Sequence, residues 1–238
     1  MEGEKMKGII KFLDKMEDIF LLLIHISLFL IGIYALFDSY MVYKDANDTS
    51  LLKYKPGVQQ ETAEKEIQGN MVGWITMDDT KIDYPIMQGE DNHEYLNKNP
   101  YGEYSLSGSI FLDCRNESCF KDDYSLIYGH HMEHGMMFGA LDKYLDKSYF
   151  ETHTKGILTA GDVTYHIQLF AVLETEATNA LIFAPTETAA GETLDYIKGH
   201  AIYCDKNVKT DNCRILGLST CKYPDTADRT IVFGVLSE

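Results

Sequence analysis

Three residues of this sequence carry the chemistry of acyl transfer and fall where predicted strands begin or end. Cys221 follows the apolar run Ile215-Leu216-Gly217-Leu218 and then Ser219-Thr220, which puts its thiol at the C-terminal edge of a strand. A free thiol, with a pKa of about 8.5, is mostly protonated at neutral pH and needs a base or a cation beside it before it attacks an amide. Arg229 stands eight residues further on, at the start of the next strand-like run. A strand–loop–strand hairpin of that length returns both residues to one end of a sheet. The guanidinium is permanently charged and fork-shaped, suited to polarising a carbonyl or holding a tetrahedral oxyanion. His130 comes directly after the strand-like YSLIY and Gly129. Its imidazole titrates close to neutrality, so it can give a proton to a leaving amine or take one from an incoming nucleophile. A single Arg or His is more often a surface or structural residue; the signal lies in the combination.

The same histidine also opens His130-His131-Met132-Glu133-His134, which fits the inverted zinc-peptidase pattern H-x-x-E-H. That chemistry requires both terminal histidines on one face of a helix and a further ligand downstream. Gly129 and Gly135 bracket the segment and a strand-like run precedes it, so a zinc metallopeptidase is the remote alternative and no metal is expected. A calcium loop of the form D-x-[DN]-x-[DN]-G is likewise missing from the sequence, and no cofactor is expected. The remaining cysteines are Cys114, Cys119, Cys204 and Cys213. Cys204 and Cys213 flank a polar loop and are candidates for a bridge, as are Cys114 and Cys119; four free or buried thiols are at least as good a reading. Any pairing leaves one thiol over.

The elements that must position these groups are short strands. Strand-like runs cover Val72–Met77, Ile82–Met87, Gly108–Leu112, Tyr124–Tyr128, Gly156–Thr159, Tyr165–Glu174, Arg214–Ser219 and Thr230–Leu236. Ala160-Gly161-Asp162 reads as a hairpin turn. Phe138–Phe150 and Thr188–Ile202 have helical periodicity, with Leu141, Tyr144 and Leu145 at i, i+3 and i+4. Eight strands with helices inserted predict a mainly β domain, a closed or nearly closed barrel with peripheral helices, although pattern alone does not separate barrel from sandwich.

Ahead of that domain, Ile19–Phe37 is a 19-residue run broken only by His25, a tyrosine and small polar groups. As a helix it spans about 28 Å, close to the ~30 Å hydrocarbon core. It exceeds the apolar region of a cleaved signal peptide, and Phe37-Asp38-Ser39-Tyr40 is a poor cleavage site, so an uncleaved anchor is expected. Lys5, Lys7, Lys11 and Lys15 precede the run and only Lys44 closely follows it. Lysine bias therefore puts the N-terminus in the cytoplasm and the catalytic part outside the cell, in a single-pass arrangement. The expected organisation is a cytoplasmic segment (1–18), the anchor (19–37), a linker with a short helix over Gln59–Gln68 (38–70) and a catalytic domain (71–238). A formal net charge of −16 repels phosphate backbones and argues against nucleic-acid partners.

Taken together, YGHHM followed by Met137-Phe138, LSTC at Leu218–Cys221, and Arg229 resemble the sortases. DNHEYL at Asp91–Leu96, SGSIFLDCRN at Ser107–Asn116 and the helical insert before LSTC are similar to class B, and the likeness runs from about Val72 to the C-terminus. The resemblance implies an eight-stranded sortase β-barrel acting on secreted proteins that bear a C-terminal sorting signal. In that family a cysteine attacks the carbonyl of the signal's threonine and forms a thioester. An amine, from a peptidoglycan precursor or a pilin lysine, then resolves it. Carried over by position, Cys221 resembles the nucleophile, His130 the acid–base group and Arg229 the oxyanion or substrate clamp. Asn92, Leu96, Tyr128, Ser219 and Thr220 match positions that line the signal pocket. The sequence departs from the family's usual Thr at Gly217 and its usual Asn at His131. Wall anchoring is the expected role and pilin polymerisation the alternative.

Overall fold

The computed structural model describes residues 2–58, 66–67, 70–221 and 228–238, without the side chains of Glu2 and Cys221. The helix expected over Gln59–Gln68 falls largely outside the described residues. The chain divides into two units, residues 1–44 and 45–238.

Helix α1 begins at Glu2 and continues to Ala46, past both ends of the expected 19-residue span. Asp38–Ala46, read from sequence as polar connector, contains neither Gly nor Pro, so nothing interrupts the backbone hydrogen bonding that the apolar run sets up. The helix is long and apolar enough to cross a membrane. Two of its polar side chains bond within the helix: His25 Nδ1 lies 2.7 Å from the Leu21 carbonyl, and Ser27 Oγ donates to the Leu23 carbonyl at 2.9 Å. Back-bonding to the preceding turn is how a polar group is accommodated in hydrocarbon without a partner helix.

In the second unit the strands are β1 (Met71–Met77), β2 (Asp83–Met87), β3 (Ile110–Leu112), β4 (Tyr124–Tyr128), β5 (Lys155–Ala160), β6 (Val163–Glu176), β7 (Tyr203–Cys204), β8 (Arg214–Cys221) and β9 (Asp228–Ser237). They pair in the order β5-β1-β2-β3-β4-β8-β9-β6, and β6 pairs back to β5, closing an eight-stranded barrel. The two-residue β7 adds to β6 beyond the end of β5. Two pairings are parallel, β2–β3 and β4–β8; the others are antiparallel. All eight strands expected from sequence are present, and Gly161-Asp162 turns β5 into β6, with Gly161 at φ +58°.

The helical insertions differ in detail from their expected form. Phe138–Leu145 is a 3-10 helix, after which Asp146 caps a separate α2 (Lys147–Thr152) by accepting from the Tyr149 N–H. The buried residues Phe138, Leu141 and Tyr144 recur every third position, the spacing a 3-10 helix stacks on one face. Two more helices follow β6: the short α3 (Ala180–Phe183), which was not anticipated, and α4 (Ala190–His200). Ile182 and Ile197 from these helices join Phe170, Leu173, Ile215, Ile231 and Phe233 from the barrel wall in one apolar cluster. Strand β8 is buried from Ile215 to Thr220, so the residues leading to Cys221 lie in a rigid, dehydrated setting.

Candidate active site

Strand pairing brings the ends of β4, β8 and β9 together. In the antiparallel β8–β9 ladder Cys221 is the register partner of Arg229, which in turn pairs with Thr175 of β6. In the parallel β4–β8 ladder Tyr128 pairs with Ser219, and the Gly129 N–H donates to the Ser219 carbonyl at 3.1 Å. Carrying the same offset two residues on sets residue 130 level with residue 221. The expected trio thus converges on one barrel end at the level of the backbone. The Cys221 side chain lies outside the described residues.

His130 is fixed from both sides. A Cβ at position 129 would fall 2.7 Å from a ring carbon of Phe138 and closer still to Ile110, so only glycine lets the chain turn there. The Phe138 N–H donates to the His130 carbonyl at 3.0 Å, and the imidazole Nε2 meets the Leu96 carbonyl at 2.7 Å. That carbonyl is held in place by the DNHEYL segment. Asp91 Oδ1 accepts from the N–H groups of His93 and Glu94 and starts the 3-10 turn Glu94–Leu96.

A cavity of about 350 Å³ opens at this end, lined by His130, Arg229, Asn92, Leu96, Tyr128, Ser219 and Thr220. All five residues matched to the signal pocket therefore share one groove with two members of the trio. Phe111, Phe183 and Ala177 give it apolar walls. The hydroxyls of Ser219 and Thr220 are buried and have no hydrogen-bond partner among the described residues. Buried hydroxyls without partners are costly unless something else meets them. Arg229 Nη1 donates to the Asp228 carbonyl at 3.2 Å.

The groove's organising charge was not singled out from sequence. Asp113 is fully buried, and its Oδ2 accepts from Asn92 Nδ2 (2.9 Å), Tyr128 Oη (2.8 Å) and Arg115 Nη2 (2.8 Å), while Oδ1 accepts from Arg115 Nε (2.9 Å) and N–H (3.0 Å). Burial alone would push this carboxyl up. The Arg115 hydrogen bonds and the Tyr128 hydroxyl outweigh it and hold the group below the usual carboxylate range. Burial and the Asp113 charge together drive the Tyr128 phenol far above its ordinary value, so it stays a donor. The nearby Cys114 thiol is pushed up for the same two reasons. The signal was present in the string Leu112-Asp113-Cys114-Arg115: a carboxylate and a guanidinium two residues apart beside a strand.

His131 and His134 do not join the groove. His131 Nε2 donates to Asp142 Oδ2 at 2.6 Å, and His134 has left-handed backbone (φ 59°) in a 3-10 turn. Residues 130–134 form no α-helix, so the H-x-x-E-H spacing does not bring its histidines to one helix face. Gly217 is explained by packing. A Cβ there would sit 2.9 Å from both Leu126 Cδ1 and Tyr124 Oη, so the Tyr124 ring occupies the space a threonine would need. Cys114, Cys119, Cys204 and Cys213 are free thiols.

Comparison with known proteins agrees with this architecture. The sortase domain family matches residues 75–237. Sortase B of Listeria monocytogenes is 39% identical over 163 residues, covering 66% of this chain and 65% of that protein, so the matched stretch spans slightly under two thirds of that relative. Sortase B of Staphylococcus aureus is 35% identical over 179 residues, 73% of this chain and 72% of that protein. Among solved structures, a class B sortase of Streptococcus pyogenes involved in pilus biogenesis superposes with a TM-score of 0.66 at 40% identity, over 72% of this chain and 94% of that one. A Staphylococcus aureus sortase B–substrate complex gives 0.65 at 33% identity, over 72% and 82%. The chain belongs to the sortase family of cysteine transpeptidases. Within that family its relatives and structural neighbours are those of class B.

Proposed function

We propose that this chain cleaves a C-terminal sorting signal after its threonine and transfers the threonyl group to an amine of a peptidoglycan precursor. The observation that carries the reading is the register pairing of Cys221 with Arg229 at the barrel end whose groove holds His130. The Cys221 thiol passes its proton to the free nitrogen of the His130 ring and its sulfur adds to the threonine carbonyl, while the Arg229 guanidinium faces the developing oxyanion. Collapse breaks the C–N bond, His130 gives its proton to the departing amine, and a thioester remains on Cys221. The acceptor amine then adds to the thioester, His130 takes a proton from it, and the thiolate leaves.

Peptide binding in the groove accords with the apolar walls supplied by Leu96 and Phe183. The Staphylococcus aureus neighbour described as a substrate complex has the same fold. Helix α1 serves as the tether, with lysine bias directing residues 1–18 to the cytoplasm and the domain from residue 71 outward. The test is covalent capture: wild-type protein incubated with sorting-signal peptides should gain the mass of the acyl fragment on Cys221. Cys221→Ala protein that gains the same mass would end the proposal. A second reading, polymerisation of pilins through a lysine amine, is favoured by the 40% identity to the Streptococcus pyogenes enzyme. Offering the acyl-enzyme a cross-bridge peptide and a pilin lysine peptide in competition decides between them by which product forms.

A further inference from the structure

We propose that Arg115 is a positioning residue that sets the width of the groove by tying its helical wall to its floor. The floor is Tyr128 and Asn92, both hydrogen-bonded to Asp113. The wall is α3 and the turn after it, whose Phe183 ring stacks on Tyr128 with centroids 6.5 Å apart and planes 16° apart. Arg115 spans the two. Through Nε and Nη2 it holds Asp113; through Nη2 it also donates to the Phe183 carbonyl, and through Nη1 to Glu187 Oε1 at 3.0 Å.

The accounting of donors assigns the role. Arginine has five N–H groups, and four are committed here to protein acceptors on two walls. A residue so engaged is poorly placed to act as a second oxyanion clamp, whatever its charge. The contact with Glu187 is exposed and contributes little. The contacts with the buried Asp113 and the Phe183 carbonyl are the effective ones, adding a tie at the Phe183 end to what α3 already has from Ile182 in the apolar cluster and from the Thr193 hydroxyl on the Leu181 carbonyl. If the strut is cut, Phe183 is released from Tyr128 and the slot that receives the peptide loses its fixed width, while the backbone pairing of 221 with 229 is untouched.

The proposal rests on the peptide-binding reading of the groove, and the experiment separates the two. In the full chain, hydrogen exchange should quicken over residues 177–187 in Arg115→Met while β8 and β9 keep wild-type protection, a result independent of any activity. With a sorting-signal peptide, Arg115→Met should raise KM roughly tenfold, as displacement of positioning groups does. Alkylation of Cys221 by iodoacetamide, which needs no groove, should stay within about twofold of wild type by the same logic. Arg115→Lys should fall between, since one ammonium cannot reach all three acceptors. If Arg115→Met unfolds, Arg115→Lys carries both measurements. Unchanged exchange over 177–187 overturns the strut. Quickened exchange in Arg115→Met, together with a wild type that never acylates, overturns the peptide-binding reading instead.

Discussion

His130 Nε2 donates to the main-chain carbonyl of Leu96 at 2.7 Å, across 34 residues of sequence. A carbonyl only accepts, so Nε2 carries the hydrogen and the neutral ring keeps its lone pair at Nδ1. The acceptor is backbone, so the Leu96 side chain is not needed to orient the ring. Leu96→Ala should keep kcat within a few-fold and act mainly on KM, whereas His130→Ala should cost about 10²–10⁴ in kcat. Nitrogen NMR of the labelled imidazole should show the Nε2–H tautomer; an Nδ1–H form would contradict the geometry.

Arg229→Lys keeps the charge and loses the planar fork. Steady-state turnover of a sorting-signal peptide should fall by about 10²–10³ in kcat. A near-normal rate would remove Arg229 from the oxyanion role and leave it as a strand partner of Cys221 and Thr175.

The neighbouring histidine gives an internal control. His131 is engaged with Asp142 and lies outside the groove lining, so His131→Ala should cost less than about tenfold, well short of the loss on removing an acid–base group. Equal losses for His131→Ala and His130→Ala would mean that the wrong imidazole has been assigned.

Gly217→Thr restores the family's usual residue and should nonetheless destabilise. Replacing glycine in a strand recovers roughly 0.5–1 kcal/mol, but overpacking against Tyr124 and Leu126 costs roughly 1–3 kcal/mol. Tyr124→Phe removes a hydroxyl that is buried without a partner among the described residues, so the double variant should recover part of the loss. Denaturant melts of the four proteins measure the coupling. Additive effects would show that the two side chains do not compete for space.

The lowered pKa of Asp113 has a definite sign in pH. A carboxyl whose folded value is depressed contributes stability that is complete above its unfolded value, about 3.9, and is lost as pH falls through the folded one. Wild type should therefore lose stability progressively below about pH 4. In Asp113→Asn that part of the acid arm should be missing, on top of a lower plateau at neutral pH. Urea midpoints between pH 3 and 7 check this, and parallel curves for the two proteins would exclude Asp113 as a contributor.

Strands were legible because each carries its own pattern over four to ten residues and is closed by polar turns, and the eight of them limited the fold to a barrel or sandwich. Closure was legible only through the family resemblance, which implied the eight-stranded barrel, and not from the strand patterns themselves. It depends on β6 pairing on both edges and on a parallel β4–β8 ladder between segments some ninety residues apart, where no local pattern reports a partner. Cys221, His130 and Arg229 could be singled out because strand ends are predictable, and the ladders bring these three positions to one barrel end. Asp113 and Arg115 escaped notice because an Asp-x-Arg spacing also describes an ordinary surface pair. Only burial reveals which one this is. The continuation of α1 through Asp38–Ala46 was not anticipated for a simpler reason: that stretch was read as polar connector, and polarity alone does not break a helix.

Asn92, Tyr128 and Arg115 all draw on the same two oxygens of Asp113. Altering one of them redistributes hydrogen bonds to the others, so the preferences of this groove should evolve in correlated jumps rather than residue by residue. Anyone redesigning it for a new peptide would do better to randomise the quartet as a block than to scan its members singly.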